Sequence, residues 1–381
     1  MWQRIKNIYH LFVAVFSNIF FGWPGEKLKI IGVTGTDGKT TTVHLIYHIL
    51  ATSGLKVSMI SSIGAVINGK EYDTGFHVTT PSSFTLMKFL KKAVSFKSDY
   101  FVLEVTSHAL DQNRVWGIPF EAGVITNISQ EHLDYHKTYE EYLRTKLKLL
   151  FSSKIAVVNR DDKSYEQISR MKGQIPNLIT YGLPKGNSDF NKYNEAAAEA
   201  VCLALGVGES DIKKALMTFE LPLGRLDLIY EGDFKVMIDF AHTPNAFEQV
   251  LKVLRPKTKG RIIHVFGSAG ERDRIKRPVL GEVSSEYSDR IILTAEDPRS
   301  EKADKIIEEI ASGIKQSLQV QKIPDRQEAI NSAIKTAKRG DLVLLTGKAH
   351  EKSMNYGRNE EPWDEYEAVA KALKERGLNY E

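Results

Sequence analysis

The chain has 381 residues, of which 42% are hydrophobic, 26% are charged and one is a cysteine. This composition excludes a mostly disordered chain, a collagen-like fibre and a disulfide scaffold, and the length predicts about two or three domains. The 52 lysines and arginines exceed the 48 acidic residues by only four, which is too small an excess to indicate nucleic acid as a partner. We therefore expect a mildly basic enzyme of the cytoplasm.

Residues 1–27 are predicted to form an apolar helical segment. The apolar run over residues 11–23 follows Arg4 and Lys6, as in a signal peptide, but no small-residue cleavage site comes after it. The run is also shorter than the roughly 20 residues that span a bilayer. We expect this helix to pack on the following domain. The alternatives are a peripheral membrane contact through residues 11–23, for which the aromatic residues are suited, and a secreted chain.

Strand and helix patterns alternate after this segment. The strand candidates cover residues 28–34, 56–60, 100–104, 122–126 and 154–159. Helical stretches lie between them, the first over residues 40–53. This rhythm predicts a mostly parallel sheet covered by helices, and hence an α/β domain over residues 28–222. Cys202 lies in an apolar run of that domain, which favours a small buried side chain over a catalytic thiol.

Proline and glycine in residues 219–224 predict a domain junction. A second series of strands and helices follows it and predicts a Rossmann-like α/β domain over residues 223–381. Its strand candidates cover residues 235–239, 261–266, 290–294 and 341–346, and its helix candidates cover residues 244–254, 301–318 and 326–338.

The stretch from Gly35 to Thr42 lies between a predicted strand and a predicted helix. Its glycines let the backbone wrap around phosphate oxygens, and the helix N-terminus adds a partial positive charge. We expect Lys39 to reach the β- and γ-phosphates and the Thr40 hydroxyl to bind Mg²⁺. The glycine spacing is shorter than in the usual P-loop, and a glycine turn that binds nothing is the alternative. The predicted ATP contacts are Gly35, Thr36, Asp37, Gly38, Lys39, Thr40 and Thr41.

Glu104 is a second candidate for the same site because it ends the predicted strand over residues 100–104. A carboxylate at the end of a strand beside the loop is suited to bind Mg²⁺ next to the phosphates. A helix-capping or surface glutamate is the alternative.

Together these motifs resemble those of the Mur ligases, the ATP-dependent amide-bond ligases that build the peptidoglycan stem peptide. Tyr142 precedes Lys146 by four residues, as in the members that add the third amino acid. The resemblance covers about residues 28–375 and is carried by the blocks at residues 33–42, 104–111, 126–136, 239–244 and 347–351. It implies the UDP-N-acetylmuramoyl-tripeptide synthetase group, with amide formation through an acyl phosphate.

The resemblance implies roles that the residue types alone do not. His132 would bind a second Mg²⁺, although histidine is not the usual ligand of that ion, and a structural histidine is the alternative. Lys146 would be carbamylated by CO₂ and help to hold the second metal, whereas the sequence alone indicates a solvated surface lysine. The implied cofactors are ATP, Mg²⁺ and CO₂, and the implied catalytic residues are Lys39, Glu104, His132, Lys146 and Arg225.

Further residues are implied around the nucleotide. Those near adenine are Asn159, Asp162, Asn191 and Asn194. An asparagine side chain pairs with adenine through a donor and an acceptor together, and loop capping is the alternative. From the C-terminal domain, Arg225, Asp239 and His242 would face the nucleotide when the domains close, and closure would exclude water from the acyl phosphate.

Two substrate sites are implied as well. The residues implied for the acceptor, a nucleotide-sugar peptide, are Thr79, Thr80, Pro81, Ser107 and Arg114. Those implied for the incoming amino acid are Arg272, Asp297, Arg299 and Glu351. Arg299 suits a second carboxylate and favours meso-diaminopimelate over L-lysine. Asp297 replaces an asparagine of the diaminopimelate enzymes, and its charge favours an ammonium group instead. Ala349 replaces a glycine of the family and is expected to crowd the pocket.

The chain departs from the family in one large respect. The segment before the loop is too short for the usual N-terminal uridine-binding domain, so we expect that domain to be missing. An amide ligase for a non-wall or lipid-linked acceptor is therefore an alternative, as are a nucleotide-binding regulatory protein and a kinase. The set of Glu104, His132 and Lys146 argues against simple nucleotide binding. The oligomeric state stays open.

Overall fold

The computed structural model describes residues 2–75, 79–129, 133–185, 189–357 and 359–378. The chain divides into two compact units, Met1–Glu220 and Leu221–Glu381. None of the helices in the described ranges combines the length and the apolar content that a membrane span needs.

The first unit contains an eight-stranded sheet. Its strands are β1 (Lys29–Thr34), β2 (Val57–Ile60), β3 (Ala65–Ile67), β4 (Lys70–Tyr72), β5 (Tyr100–Glu104), β6 (Phe120–Ile125), β7 (Ser153–Asn159) and β8 (Leu178–Tyr181). They are ordered β4-β3-β2-β5-β1-β6-β7-β8. All neighbours are parallel except the pairs β2–β3 and β3–β4. The carboxyl ends of β5, β1, β6 and β7 therefore meet along one edge.

Nine helices are described in the first unit. They are α1 (Trp2–Phe21), α2 (Lys39–Thr52), α3 (Ser83–Ser95), α4 (Ser107–Asp111), α5 (Leu133–His136), α6 (Tyr139–Phe151), α7 (Tyr165–Ser169), α8 (Phe190–Ala204) and α9 (Glu209–Met217). Side-chain caps define several helix starts. Ser82, Thr138 and Asp189 accept the free backbone N–H groups of α3, α6 and α8.

Both faces of this sheet are buried, as a parallel sheet requires. Ile31 and Val33 of β1 pack on one face against α2, α8 and α9, in a cluster that includes Cys202. Ile30 points to the other face, where α3 and α4 pack. The prediction for Cys202 is confirmed, since its side chain is fully buried and burial raises the pKa of its thiol to about 12.

The second unit has a six-stranded sheet and a small hairpin. The strands are β9 (Asp227–Glu231), β10 (Lys235–Asp239), β11 (Ile262–Phe266), β12 (Arg290–Leu293), β13 (Gln319–Lys322), β14 (Leu342–Thr346), β15 (Ser353–Tyr356) and β16 (Asn359–Pro362). The large sheet has the order β13-β12-β11-β14-β10-β9, and β9 alone is antiparallel in it. The helices are α10 (Pro244–Leu254), α11 (Lys276–Tyr287), α12 (Ala303–Ala311), α13 (Arg326–Thr336) and α14 (Glu365–Glu375).

The α/β fold class is confirmed in both units, and most predicted strands lie within two residues of their predicted bounds. The predicted helix over residues 301–318 is confirmed in its first part only, because α12 spans Ala303–Ala311 and β13 begins at Gln319. Gly313 lies so close to the Pro278 carbonyl that a side chain would overlap it. This close approach to α11 favours a tight turn there over a continuation of the helix.

Candidate active site

The phosphate loop joins β1 to α2 and is held by side chains that follow β6. Thr126 Oγ1 and Asn127 Nδ2 donate to the Asp37 carbonyl oxygen at 2.7 and 3.0 Å. Within the loop, Lys39 Nζ donates to the Thr36 carbonyl oxygen at 2.7 Å. The loop is therefore fixed by its own lysine and by the neighbouring strand.

Two glycines of the loop are needed because other groups approach them closely. Gly35 has φ +153°, and a side chain there would overlap Thr126. Gly38 has φ +80° and begins α2, and a side chain there would overlap the amide of Asn194. Backbone without side chains at these points is what a phosphate-binding loop uses to expose its N–H groups.

Glu104 is buried at the end of β5, directly beside the start of α2. The Thr40 hydroxyl donates to its carboxylate at 3.0 and 3.2 Å, and the Ser62 N–H donates to Oε2 at 2.9 Å. The parallel pairing that sets Val33 opposite Glu104 explains this meeting. Glu104 is therefore not a surface glutamate, which was one of the alternatives to a Mg²⁺ ligand.

Lys146 of α6 is only 1% exposed and points at the same loop. Its Nζ donates to the Gly35 carbonyl oxygen at 2.6 Å and lies 4.5 Å from the ring centroid of Tyr142. Burial lowers the pKa of Lys146 well below its ordinary value, and the charge of Lys39 lowers it further. The residue is therefore not the solvated surface lysine that composition indicates.

The oxygen donors beside the loop fit a divalent cation. Mg²⁺ is usually held by one or two carboxylates together with substrate phosphates, and the Glu104 carboxylate and the Thr40 hydroxyl supply such oxygens. In the parts of the chain that the structure covers, no group of three or more His, Cys, Asp or Glu side chains could hold a metal ion. His132, the candidate for a second metal, lies outside the described residues.

The four residues proposed for the adenine lie in different settings. Asn194 is buried beside the loop, and its Oδ1 accepts from Thr42 Oγ1 at 3.4 Å. Asn191 is half-buried one turn earlier in α8. Asn159 ends β7 and its Oδ1 accepts from the Asp161 N–H, while Asp162 accepts from Ile128 and Ser164. Asn159 thus caps its own loop, Asp162 also joins that loop to the one after β6, and their assignment to the adenine stays a prediction.

Acceptor candidates from three loops meet beyond the end of β5. Thr80 Oγ1 donates to the Glu104 carbonyl oxygen at 2.9 Å, and Arg114 Nη1 donates to the Thr80 carbonyl oxygen at 2.8 Å. Pro81 is buried and Thr79 half-buried beside them. Ser107 starts α4, where its hydroxyl lies 3.0 Å from His136 Nε2.

A cluster of rings at this place was missed by the sequence interpretation. Tyr135 lies 4.2 Å from His108 between ring centroids, and His136 lies 5.2 Å from Tyr142. The Tyr135 hydroxyl donates to Asp111 at 2.8 Å. Residues 134–136 belong to a block on which the resemblance rests, so the sequence did single them out. The ring contacts, however, depend on how α4, α5 and α6 pack together.

In the second unit, the nucleotide candidates meet at the end of β10. Asp239 is buried, and its carboxylate accepts the N–H groups of Leu226 and Ala241 at 2.8 and 2.7 Å. The guanidinium carbon of Arg225 lies 4.8 Å from the ring centroid of Phe240. His242 Nδ1 is 2.9 Å from the Phe240 carbonyl oxygen. Asp239 therefore orders the loop that carries Arg225.

The amino-acid candidates lie mainly at the ends of β12 and β14. Asp297 is bonded to the fully buried Lys348, whose Nζ donates to Asp297 at 2.9 Å and to Glu351 at 2.7 Å. Lys348 thus neutralises one of the two carboxylates that it bonds, and the preference of Asp297 for a ligand ammonium group stays a prediction. Lys348 was not predicted, although it lies in the block at residues 347–351. Arg272 is exposed in the loop before α11.

Arg299 is half-buried and held by its backbone. Its N–H donates to the Asn355 carbonyl oxygen at 3.0 Å, and its own carbonyl accepts from Gly357 at 2.7 Å. Its guanidinium forms no hydrogen bond or ion pair with any other described residue. Ala349 is buried facing Gly224, where a Cβ would lie 2.6 Å from its methyl group.

Two family models match the chain. The Mur ligase middle domain matches residues 33–222, and the domain described as "Mur ligase, glutamate ligase domain" matches residues 224–349. A relative from Clostridium acetobutylicum, named UDP-N-acetylmuramoyl-L-alanyl-D-glutamate–2,6-diaminopimelate ligase 1, is 38% identical over 95% of this chain and 82% of its own length. A ligase of the same name without the number, from Aquifex aeolicus, is 39% identical over 93% of this chain and 79% of its own length.

Solved structures have the same fold. A UDP-N-acetylmuramoyl-L-alanyl-D-glutamate–2,6-diaminopimelate ligase is 28% identical with a TM-score of 0.60, over 92% of this chain and 79% of that one. A folylpolyglutamate synthase/dihydrofolate synthase from Yersinia pestis, complexed with AMPPNP and Mn ion, has a TM-score of 0.72 over 97% of this chain and 93% of that one. The identity to the latter is 20%, so it supports the fold alone.

Proposed function

The chain belongs to the Mur ligase family, and we propose that it adds meso-diaminopimelate to UDP-N-acetylmuramoyl-L-alanyl-D-glutamate at the expense of ATP. The observation that carries this proposal is the meeting of Thr40, Glu104 and Lys146 at one phosphate loop. Binding a nucleotide requires the loop alone, whereas phosphoryl transfer to a carboxylate requires charge compensation at the transferring group. A buried acid and a buried lysine at the loop fit the second task.

The chemistry proceeds in two displacements. A carboxylate oxygen of the acceptor attacks the γ-phosphorus of ATP, and the bond from this phosphorus to the bridging β-phosphate oxygen breaks. ADP departs, and the acceptor becomes an acyl phosphate. The amine of the amino acid then attacks the acyl carbon, the carbon–oxygen bond to phosphate breaks, and the amine gives up a proton. Lys39 and the loop N–H groups bind the phosphates. Glu104 and Thr40 would hold Mg²⁺, which neutralises phosphoryl oxygens.

Carbamylation of Lys146 belongs to this proposal. A lysine that is neutral at neutral pH keeps the lone pair with which its Nζ attacks CO₂, and the product gains a carboxylate while one proton is released. Burial lowers the pKa of Lys146 in that direction. The modification gives this residue a negative charge that attracts a second Mg²⁺, whereas an ammonium group at the same place would repel it. The resemblance to the family supports His132 as its partner ligand.

Arg299 supports the choice of meso-diaminopimelate over L-lysine. Its guanidinium has no acidic partner among the residues that the structure describes, so a ligand carboxylate would be its first one. Diaminopimelate carries a distal carboxylate that lysine lacks, and a guanidinium binds it with two parallel hydrogen bonds. The ammonium group of Lys348 bonds to Asp297 and so weakens the negative charge that would favour lysine.

The test is ADP release by the full chain with ATP, Mg²⁺, bicarbonate and the proposed acceptor. meso-Diaminopimelate and L-lysine are supplied in parallel, and the product mass is measured. We expect turnover with diaminopimelate. Arg299→Ala should raise the KM for diaminopimelate roughly 10- to 100-fold, as loss of a charged hydrogen-bonded pair does, and leave the KM for ATP unchanged. Arg339→Ala, an exposed arginine of the same unit, is the control.

Turnover with lysine in preference to diaminopimelate would contradict the assignment of the amino acid. Retained ATP binding without turnover would instead favour the alternative, a Mur-like ligase acting on a non-wall or lipid-linked acceptor.

A further inference from the structure

Helix α1 buries polar side chains and exposes apolar ones, which is the reverse of an ordinary surface helix. Its polar Ser17 and Asn18 are completely buried or nearly so, and Asn18 Nδ2 donates to the Trp116 carbonyl oxygen at 3.0 Å. Six of its large apolar side chains point away from the protein. These are Ile8, Tyr9, Phe12, Phe16, Ile19 and Phe20, which are between 55% and 70% exposed. A soluble globular protein normally buries such a stripe.

The exposed stripe is continuous with a neighbouring helix. Phe84 of α3 is 41% exposed and lies 5.7 Å from Phe20 between ring centroids. From Ile8 to Phe20 the stripe runs about 18 Å along the helix at 1.5 Å per residue. We call Ile8, Phe12, Phe16, Ile19, Phe20 and Phe84 the apolar ridge.

The two helices that form the apolar ridge carry charged residues of one sign only. Neither α1 nor α3 contains an aspartate or a glutamate, whereas they contain five lysines and arginines. Lys88 and Lys91 follow Phe84 at helical spacing, are exposed, and form no ion pair with another described residue. This local excess contrasts with the near balance of charges in the whole chain.

We infer that the apolar ridge and the basic side chains beside it bind the anionic surface of a phospholipid bilayer, with α1 lying in the plane of the interface. Aromatic and aliphatic side chains on a helix enter the boundary between headgroups and acyl chains, and lysines beside them bind anionic headgroups. A second copy of the chain fits less well, because a symmetric contact would bring the same positive charges of both copies together.

The other side of α1 fixes this orientation. Asn7 Nδ2 donates to Asp111 at 3.0 Å, and Gln3 Nε2 donates to the Tyr135 hydroxyl at 2.7 Å. The helix is therefore anchored near the proposed acceptor residues while its apolar ridge faces outward. Bilayer binding would bring that region of the enzyme to the membrane surface. The inference does not depend on which substrate is ligated.

The experiment is cosedimentation of the full chain with vesicles. Vesicles of equal phosphatidylglycerol and phosphatidylcholine are compared with vesicles of phosphatidylcholine alone. We expect binding to the anionic vesicles that is at least about tenfold tighter and that weakens with salt. Phe12→Ser with Phe16→Ser should lower the affinity at least about tenfold, because two aromatic side chains no longer leave water. Lys88→Glu with Lys91→Glu should abolish the preference for anionic lipid.

Matched controls separate the surface from the general effect of each substitution. Met217→Ser with Ile275→Ser changes two other exposed apolar residues, and Lys371→Glu with Lys374→Glu reverses two exposed charges at the same spacing in α14. Neither control should change binding. Equal losses in controls and test variants, or no binding by the unaltered chain, would overturn the proposal. A dimer that the Phe12 and Phe16 changes dissociate, without vesicle binding, would overturn it in favour of self-association.

Discussion

At the scale of single residues, two lysines that are far apart in the sequence both donate to carbonyl oxygens of the phosphate loop. Lys39 donates to the Thr36 carbonyl, and Lys146 donates to the carbonyl of Gly35. The two ammonium groups repel each other. The buried Lys146 loses its proton more easily than Lys39, because burial already disfavours its charge. The electrostatics of the loop therefore favour a neutral Lys146, ready to react with CO₂.

Lys146→Arg tests this at the residue concerned. Arginine keeps a positive charge and forms no stable carbamate, so we expect the ligase rate to fall at least about 100-fold, in line with removal of one charge-stabilising group. With ¹³C-labelled bicarbonate, the unaltered chain should give a carbamate carbon signal in the NMR spectrum, and Lys146→Arg should not. Lys148→Arg, with a half-exposed lysine two residues away, should keep both the signal and the rate.

A carbamate signal that survives in Lys146→Arg and disappears in Lys148→Arg would place the modification on Lys148 and contradict its assignment to Lys146. Unchanged activity of Lys146→Arg would remove the need for any modification at this position.

The residues of the phosphate loop could be predicted because a loop between a strand and a helix is a local feature. Glu104 could be predicted in part, since it ends a strand and parallel strands end at one edge. Lys146 could not be derived from its own segment, because α6 contains two other basic residues, Arg144 and Lys148. Its burial depends on which face of α6 packs against the loop, and only the resemblance indicated it.

At the scale of helices and strands, a buried ion pair joins the starts of α13 and α14. Arg326 and Glu365 are 1% and 0% exposed in their side chains, and Arg326 Nη2 donates to Glu365 at 2.6 Å. Arg326 also donates to the carbonyl oxygens of Ala295, just after β12, and Thr346, at the end of β14. One guanidinium thus connects two helices to the edge of the sheet where the amino-acid candidates lie.

Removing one partner of this pair should be costly. Arg326→Met leaves the Glu365 carboxylate buried without its countercharge, so we expect unfolding free energy to fall by about 3–5 kcal/mol. Arg326→Met combined with Glu365→Leu should recover much of that loss, since no uncompensated charge stays buried. Urea unfolding of the three proteins measures both effects. A double variant no more stable than Arg326→Met would contradict this account and indicate that the bonds to the two carbonyl groups dominate.

Elements buried on both faces were predicted better than those at the edges. The central strands β1, β5, β10 and β14 are continuous apolar runs, which periodicity detects. The edge strands β4, β8, β9 and β13 are short, partly exposed or both, and none was predicted. For α1 the sequence left packing on the domain and a membrane contact as alternatives, because an apolar pattern gives the face of a helix but not whether protein covers it.

At the scale of the whole molecule, two buried titratable groups in the second unit affect stability in opposite directions as pH changes. Burial raises the pKa of Glu296 to about 7 in the folded chain, whereas the ordinary value of 4.5 applies in the unfolded chain. Burial lowers the pKa of His264 to about 3, where the ordinary value is 6.5. Neither group is exposed enough for solvent to relieve its charge.

The sign follows from which state binds more protons. Between pH 4.5 and 7 the folded state holds the Glu296 proton more tightly, so this group makes the chain less stable as pH rises. Between pH 6.5 and 3 the unfolded state takes up the His264 proton more readily, so this group makes the chain less stable as pH falls. The two effects oppose each other between pH 4.5 and 6.5, and His264 dominates at lower pH.

Glu296→Gln should separate the two effects. The amide cannot ionise, so the stability of the variant relative to the unaltered chain should rise by about 3 kcal/mol between pH 4.5 and 8, the free energy equivalent of the pKa change. Urea unfolding of the full chain at pH 5, 6, 7 and 8 measures this difference, with the exposed Glu282→Gln as control. A difference that stays constant with pH would mean that Glu296 is ionised in the folded protein. The carboxyl end of β12, where Glu296 adjoins Asp297, would then carry two negative charges facing Lys348 and Arg326.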